Sequence, residues 1–268
     1  MDFIITLLGN LLVFVLGSAI GSFLNVVVYR IPANLSILYP PSRCPHCLTK
    51  LRKQDNVPIL GWLFLRGRCR HCRQPIALRY PIVEAVTGLF FVGVFLGFGI
   101  SWATLGYWAF LSWLLALTLI DVDTMTLPNA LTQSGLVVGL GFHVIQGWGS
   151  GVAAQLMVGI TGAVAGIWLF DLITVGGGIL FGQEVMGGGD AKLAAMIGAW
   201  LGWQHLLLAS FLACAIGAFA GGAAMAIGWL RRGQPFPFGP FLAVGAGLAL
   251  FWGDLLWRSY LGLFFPAF

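Results

Sequence analysis

Residues 102–120, WATLGYWAFLSWLLALTLI, contain no charged side chain and end immediately before Asp121. A run of this length is close to the roughly 20 apolar residues that span the hydrocarbon core of a bilayer as a helix. Further apolar runs occur at 3–29, 80–100, 129–147, 152–174, 190–203, 205–230 and 237–257. The pattern predicts an all-α membrane protein, a polytopic bundle of about eight transmembrane helices of which one is short.

The composition agrees with this fold class. Of the 268 residues, 59% are apolar and 9% are charged, whereas charged residues make up about 25% of an ordinary soluble domain. The mean hydropathy is +0.93. These values exclude a soluble domain, because lipid must be the solvent for most of the chain.

The basic residues are concentrated in one predicted loop. Ten of the fourteen Lys and Arg residues lie within residues 30–79. Because short cytoplasmic loops carry an excess of Lys and Arg, we expect this loop in the cytoplasm and the N-terminus outside. The net charge of +5 then reflects membrane orientation and contact with anionic lipids, and nucleic-acid binding is not expected. Residues 1–29 lack a basic n-region and are predicted to remain as the first transmembrane helix.

Four of the five cysteines lie in this loop, as two C-x-x-C pairs separated by 21 residues: Cys44 and Cys47, then Cys69 and Cys72. Two such pairs predict a closed tetrahedral zinc site that is structural rather than catalytic. The alternatives are two disulfides, which a reducing cytoplasm disfavours, four unbound thiols, or a histidine at 46 or 71 in place of one thiolate. A loop of this size buries little apolar surface, so zinc would supply folding free energy.

The acidic residues form a second set of candidates. The sequence has only nine Asp and Glu residues, and a carboxylate at membrane depth costs about 2.5–3.5 kcal/mol on insertion scales, so each one there is a functional candidate. Asp121 and Asp123 follow the third apolar run, and Asp190 follows Gly187-Gly188-Gly189 at the start of another. Counting helices from the basic loop puts both positions at the cytoplasmic border.

This placement favours an aspartyl protease. Two carboxyl groups close together do not both ionise easily, so one can donate a proton to the scissile carbonyl while the other activates water. The glycines at 187–189 would let a substrate strand approach closely. The alternatives are an interfacial turn at Asp121 and Asp123, an N-cap at Asp190 and a merely flexible glycine loop.

Five short strings also occur in one order along the chain. They are GSFLNVV at 21–27 running to Arg30-Ile31-Pro32, the paired C-x-x-C loop, YPIVE at 80–84, IDVD at 120–123 before Leu127-Pro128, and GGGDAKL at 187–193. Together they resemble the bacterial prepilin peptidases, the type IV leader peptidases of pilus assembly and type II secretion. The Gly-x-Gly-Asp string alone is shared with the wider class of intramembrane aspartyl proteases.

The resemblance implies cleavage of the basic leader of type IV prepilins or type II secretion pseudopilins at the cytoplasmic side of the bacterial inner membrane. It also implies N-methylation of the new N-terminus with S-adenosylmethionine as methyl donor. Its motifs assign catalysis to Asp121 and Asp190, with Asp123, Gly187, Gly189 and Lys192 in support. For cofactor binding it points to Gly67, Asn25 and Glu84. The segments would then be a first helix at 1–29, a methyltransferase-associated loop at 30–79 and a helical peptidase domain at 80–268.

Two other classes of protein fit parts of the pattern. A proton- or cation-coupled transporter could use Asp121, Asp123 and Asp190 as an ion path, although the two halves show no repeat and these carboxylates gather at one face. A zinc-stabilised membrane scaffold would need none of these aspartates. The choice between Asp121 and Asp123, and the roles of Asp171 and Asp254, stay open.

Overall fold

The computed structural model describes residues 2–182, 186–231, 234 and 236–264. Over these residues the chain forms eight α-helices and no β-strand, which confirms the predicted all-α fold. The helices are α1 (Asp2–Arg30), α2 (Leu60–Phe64), α3 (Arg79–Phe98), α4 (Trp102–Thr124), α5 (Asn129–Gln146), α6 (Val152–Phe181), α7 (Gly188–Ala226) and α8 (Gly239–Phe264). A 3₁₀ turn covers Lys53–Asn56.

Six helices of the described chain are long and apolar enough to cross a membrane: α1, α3, α4, α6, α7 and α8. They agree with a multi-pass membrane protein. The sequence also predicted a span at 129–147, but α5 is less apolar, with Asn, Thr, Gln, Ser and His among its 18 residues. α6 extends beyond its predicted end and takes the glycines at 176–178 into the helix.

α7 combines the two helices that the apolar runs predict separately. Gly202 within it has φ 76° and ψ 171°, outside the helical region. Asp190, in its first turn, lies within range of the charge of Asp121, and Asp121 bonds the N-terminus of α8. Gly217, far along α7, also packs against the first turn of α8. A straight helix would separate residues 190 and 217 by about 40 Å, so the chain reverses at Gly202.

The chain divides into two compact units, Met1–Ala116 and Leu117–Phe268, with the boundary inside α4. In the first unit α1 packs against α3, and a Cβ at Gly17 would lie 2.8 Å from the Cα of Gly88. In the second unit α5, α6 and α8 pack against α7, where Gly162 and Gly198 let two backbones touch. Small residues at such crossings are how membrane helices achieve close packing. The three functional segments inferred from the sequence stay a prediction.

The second unit has a well-defined core around the first half of α7. Trp200 is 2% exposed, and its Nε1–H donates a hydrogen bond of 2.8 Å to the carbonyl of Gly135 in α5. Its indole ring lies against Gly139, where a Cβ would come within 2.7 Å of the ring. A buried indole that is both packed and hydrogen-bonded fixes α7 against α5, and thereby fixes the start of α7, which carries Asp190.

Candidate functional site

The two C-x-x-C pairs lie in turns of the same design. The amide of the first cysteine donates to the carbonyl five residues further on, at 3.0 Å for Cys44 and 2.8 Å for Cys69. The residue four places after that cysteine has a positive φ in both turns, 56° at Leu48 and 61° at Arg73. The equivalence of the turns brings two similar pairs of sulfurs face to face.

The four sulfurs of Cys44, Cys47, Cys69 and Cys72 lie within 4.8 Å of one another. The Sγ–Sγ distance is 3.7 Å for Cys44 and Cys72 and 4.0 Å for Cys47 and Cys69. A tetrahedron of sulfurs at about 2.3 Å from zinc has edges of about 3.8 Å. All four cysteines are free, so the arrangement fits a metal ion and not a pair of disulfides. His46 and His71 are exposed and stand outside the cluster.

The thiols of this cluster differ in acidity. Hydrogen bonds from the side chain and the backbone of Thr49 lower the pKa of Cys47 to about 6. For Cys72 a hydrogen bond from the Gln74 backbone lowers the pKa, but desolvation and the other thiols outweigh it and raise the pKa to about 11. The negative charge of each thiolate disfavours deprotonation of the neighbouring thiols. A bound cation removes that repulsion and holds all four cysteines as thiolates.

An ion pair ties the second cysteine turn to the 3₁₀ turn. The carboxylate of Asp55 accepts hydrogen bonds from Nε of Arg70 at 3.0 Å and from Nη2 at 2.6 Å. The Asp55 side chain is 4% exposed, and the bonds from Arg70 lower the pKa of that carboxyl. A bidentate pair of this kind has fixed geometry as well as charge attraction, so it orients the turn that holds Cys69 and Cys72.

Gly67, a predicted cofactor residue, lies in the body of the loop. It has φ +66°, and a Cβ there would lie 2.7 Å from the ring of Trp62. The Trp62 Nε1–H donates to the carbonyl of Ile76 at 3.1 Å. This packing explains why residue 67 is a glycine, because both the backbone angle and the indole ring exclude a side chain. Its role in cofactor binding stays a prediction.

Two of the sequence motifs meet between α1 and α3. A Cβ at Gly21 would lie 2.8 Å from the Cα of Glu84, and Nδ2 of Asn25 donates to the carbonyl of Tyr80 at 3.3 Å. Glu84 is 8% exposed, and its carboxylate accepts the amide of Ile59 at 2.7 Å. The glycine therefore permits the close approach of α1 and α3 in which Asn25 bonds the backbone of Tyr80.

The first pair of acidic residues points in two directions. Asp121 is 5% exposed, whereas Asp123 is exposed. Two residues along an α-helix correspond to a rotation of about 200°, so at the end of α4 the two side chains leave on opposite faces. Asp121 is the one whose charge acts on the half-buried Asp190.

Gly239, at the start of α8, contacts the carboxylate of Asp121 directly. Its amide donates a hydrogen bond of 3.0 Å to Oδ2 of Asp121, and a Cβ at this glycine would lie 2.6 Å from the same oxygen. The sequence did not predict a role for this residue, because every residue except proline has a backbone amide and residue type does not distinguish this one. The only sequence signal is a glycine between two prolines in the segment Pro237-Phe238-Gly239-Pro240.

The glycines before Asp190 form the cap of α7. Gly187 precedes the helix with φ −77° and ψ 145°, and its carbonyl accepts the amide of Asp190 at 3.1 Å. A Cβ at Gly189 would lie 3.2 Å from the Leu127 side chain, so this turn rests on the segment between α4 and α5. Lys192 is exposed, and its Nζ donates to Oδ1 of Asn129 at 2.8 Å.

Comparison with known proteins gives the family. The protein-family model described as the Bacterial Peptidase A24 N-terminal domain matches residues 15–98. A second family model, described as the Type IV leader peptidase family, matches residues 108–222. A prepilin leader peptidase/N-methyltransferase of Aeromonas hydrophila is 40% identical over 282 residues, covering 93% of both chains. The chain belongs to the type IV leader peptidase family.

Other members of the family give the same result. A prepilin leader peptidase/N-methyltransferase of Stutzerimonas stutzeri is 40% identical and covers 92% of both chains. One of Pseudomonas aeruginosa is 38% identical, over 92% of this chain and 91% of the relative. No solved structure matches the chain significantly. In this family member, then, the two matched regions carry the cysteine loop and the aspartates respectively.

The carboxylates without a predicted role lie elsewhere in the second unit. Asp254 of α8 has its Oδ1 3.4 Å from Nε2 of His205 in α7, and its side chain is 84% exposed. Gly253 lets this histidine approach, because a Cβ there would overlap the imidazole. Asp171 is exposed on α6. Neither residue joins Asp121 and Asp190.

Proposed function

We propose that this member of the leader peptidase family cleaves type IV prepilins or type II secretion pseudopilins and N-methylates the new N-terminus. The observation that carries the peptidase part is the buried carboxylate of Asp121, fixed by the Gly239 amide within range of the charge of Asp190. Two carboxyl groups so placed are the machinery of an aspartyl protease.

Two carboxyl groups this close do not both ionise easily, so they hold one proton between them. Asp121 accepts the amide of Gly239, a bond that favours its ionised form, and Asp190 lies in the first turn of α7, where a negative charge is also favoured. In the proposed mechanism Asp121 begins ionised and Asp190 begins protonated. Asp190 thereby becomes the hydrogen-bond donor to the scissile carbonyl oxygen, and Asp121 becomes the acceptor of a proton from water.

The reaction then needs no covalent intermediate. Water adds to the carbonyl carbon, Asp121 takes one of its protons, and Asp190 gives its own proton to the carbonyl oxygen. The resulting gem-diol collapses when Asp121 protonates the leaving nitrogen and Asp190 regains a proton from a hydroxyl. Both carboxyl groups return to their starting states, which is the proton balance that general acid–base catalysis requires.

The proposed location is the bacterial inner membrane, with the loop and the carboxylates on the cytoplasmic side. The basic residues within 30–79 support this orientation through the positive-inside rule. They also support contact between the loop and anionic lipids. A prepilin has a basic leader followed by an apolar helix, so its scissile bond would reach the membrane border at which these aspartates are predicted to lie.

For the second activity, S-adenosylmethionine would supply the methyl group. The relatives of Aeromonas hydrophila and Stutzerimonas stutzeri are named prepilin leader peptidase/N-methyltransferases, and the residues proposed for the cofactor are Asn25, Glu84 and Gly67. We also propose that the ion held by Cys44, Cys47, Cys69 and Cys72 is zinc, which suits four thiolates in a tetrahedron. A closed site of this kind holds the loop in shape and takes no part in the chemistry.

A comparison of three isosteric variants tests the peptidase. Purified Asp121→Asn and Asp190→Asn proteins are expected to lose cleavage of a model prepilin by a factor of about 10³ or more, since each loses one half of the acid–base pair. Asp123→Asn, the matched control two residues away, is expected to keep at least a tenth of the activity. Zinc content and thermal unfolding are measured alongside. Full activity of the first two variants would overturn the mechanism and favour transport.

A further inference from the structure

The first unit contains a cavity whose lining residues include neither Asp121 nor Asp190. It has a volume of about 380 Å³ and lies between the second half of α1 and the chain at 37–42 and 56–58. This size falls within the range of about 300–1,000 Å³ that is usual for small-molecule sites. Its wall includes polar groups, Ser22, Ser42 and Asn56, and large apolar groups, Phe23 and Leu38.

One wall of the cavity carries a fixed cation. Arg30 lines it, and the guanidinium donates to the carbonyl of Ser36 at 2.8 Å and to that of Pro40 at 2.6 Å. These bonds hold the side chain in place but leave its charge without a carboxylate partner among the described residues. A guanidinium held in this way presents its remaining N–H groups to a ligand carboxylate.

The other charge is negative and buried. The Glu84 carboxylate is bonded to the amide of Ile59, next to the lining residue Pro58, and Ser22, on the cavity wall, is its other hydrogen-bonding neighbour. Glu84 is 8% exposed, and within the described part of the chain no cation forms an ion pair with it. Buried carboxylates are normally paired or coordinate a cation, so this one lacks the positive partner that a ligand could supply.

We propose that this cavity is the binding site of the methyl donor, S-adenosylmethionine. The donor carries a carboxylate, for which Arg30 is the partner, and a positively charged sulfonium, for which Glu84 is the counter-charge. Its flat aromatic base suits a wall that contains Phe23 and Leu38. Ser22 and Asn56 remain as hydrogen-bonding groups for the hydroxyls or the base.

The site also accounts for two sequence motifs that peptide cleavage leaves unexplained. Residues of GSFLNVV at 21–27 form one wall of the cavity, and Arg30, one helical turn further along α1, lines the same cavity. YPIVE at 80–84 ends at Glu84, and Gly21 allows its backbone to approach α1. The proposal rests on the proposed methyltransferase activity and adds a binding site for its methyl donor.

The transfer itself balances without a further reactant. The uncharged nitrogen of the new N-terminus forms a bond to the methyl carbon, and the carbon–sulfur bond breaks with its electron pair left on sulfur. The nitrogen then releases one proton to water. The sulfur thereby loses its positive charge, so a carboxylate at Glu84 distinguishes the donor from its product.

Binding measurements on the full-length protein in detergent use this difference in charge. Glu84→Gln keeps the shape of the side chain and an acceptor for Ile59 but removes the charge. It is expected to weaken binding of S-adenosylmethionine by about tenfold or more, and binding of S-adenosylhomocysteine, the uncharged product, by less than about threefold. A purely structural effect would weaken both ligands alike. Asp171→Asn removes an exposed carboxylate from α6 and is the matched control, with no expected effect on either ligand.

Photochemical labelling of the unmodified protein supplies a second measurement that depends on no variant. Radioactive S-adenosylmethionine, cross-linked by ultraviolet light, is expected to label the segment 19–58. A label confined to residues 117–268, or equal affinity of Glu84→Gln and wild type for the donor, would overturn the proposal. If the wild-type protein cleaves prepilin but binds no donor, the methyltransferase part of the proposed function fails, and this site fails with it.

Discussion

The backbone amide of Gly239 donates a hydrogen bond to the carboxylate of Asp121 at 3.0 Å, across 118 residues of sequence. This bond joins the last turn of α4 to the first turn of α8, and the glycine leaves no room for a side chain at that point. A fixed donor of this kind keeps one carboxylate in a single orientation without adding another titratable group.

Gly239→Ala is therefore expected to reduce prepilin cleavage by at least about tenfold, with a smaller change in substrate affinity. A Cβ at 2.6 Å from Oδ2 must displace the Asp121 carboxylate, and a displacement of about 1 Å in a catalytic group can lower rates a hundredfold. The measurement is kcat and KM for a model prepilin. The matched control is Gly247→Ala in the same helix, where nothing lies within 4 Å of the new Cβ. Equal kcat in the two variants would show that the contact has no role in catalysis.

Removal of one cysteine from the cluster is expected to release the metal and unfold the loop. Cys44→Ser leaves three thiolates, and structural zinc in a small loop supplies most of its folding free energy. We expect zinc bound per chain to fall from about one to nearly none and the segment 30–79 to become sensitive to protease. Cys214→Ser changes the one cysteine outside the cluster and should keep both properties. Persistence of zinc and protease resistance in Cys44→Ser would contradict the four-cysteine assignment.

The ion pair between Asp55 and Arg70 is expected to make the loop sensitive to acid. Because Arg70 lowers the pKa of Asp55 in the folded loop, its stabilisation is complete above the unfolded value of about 3.9. It is lost as the pH falls through the lower folded value. Protease resistance of the loop at neutral pH should be lower in Asp55→Asn than in wild type. The difference should shrink below pH of about 3.9, and a difference that stays constant with pH would assign the effect to lost packing.

Gly67→Ala is expected to disturb the loop more than its backbone angle alone would. A non-glycine residue in the left-handed region costs about 1–2 kcal/mol, and Gly182→Ala, with φ +67°, ψ 15° and open space around the new Cβ, measures that cost. Gly67 has a similar φ of +66° and in addition faces the Trp62 ring at 2.7 Å. Tryptophan fluorescence should therefore shift in Gly67→Ala, and methylation should fall with zinc content. If the two variants behave alike, the indole contact contributes nothing.

The sequence predicted the elements whose signal lies in residue type and spacing. The apolar runs predicted the helices, including the reversal between the two halves of α7. The two C-x-x-C pairs predicted the sulfur cluster that the structure contains. The sequence does not show which of Asp121 and Asp123 is buried beside α8, because that depends on the rotation of α4 at its end and on which face α8 covers.

Other contacts leave no trace in composition or spacing. The partners of Asp121 and Glu84 are backbone amides, of Gly239 and Ile59, and every residue except proline carries one. The pairing of His205 with Asp254 also depends on the crossing of α7 and α8. Long-range packing of this kind is set by the sum of many helix contacts rather than by any local motif.

The reversal at Gly202 determines how deep the chemistry lies. Asp190 precedes Gly202 by 12 residues, which is a rise of about 18 Å in a helix, against a hydrocarbon core of about 30 Å. The first half of α7 is therefore too short to cross the core, and with Asp190 at the proposed cytoplasmic border the chain reverses inside the membrane. A substrate helix that enters the membrane satisfies all its own amides, and it must unwind locally before a carbonyl can be attacked. Stiffness of the substrate near the cut therefore becomes a determinant of which proteins are processed.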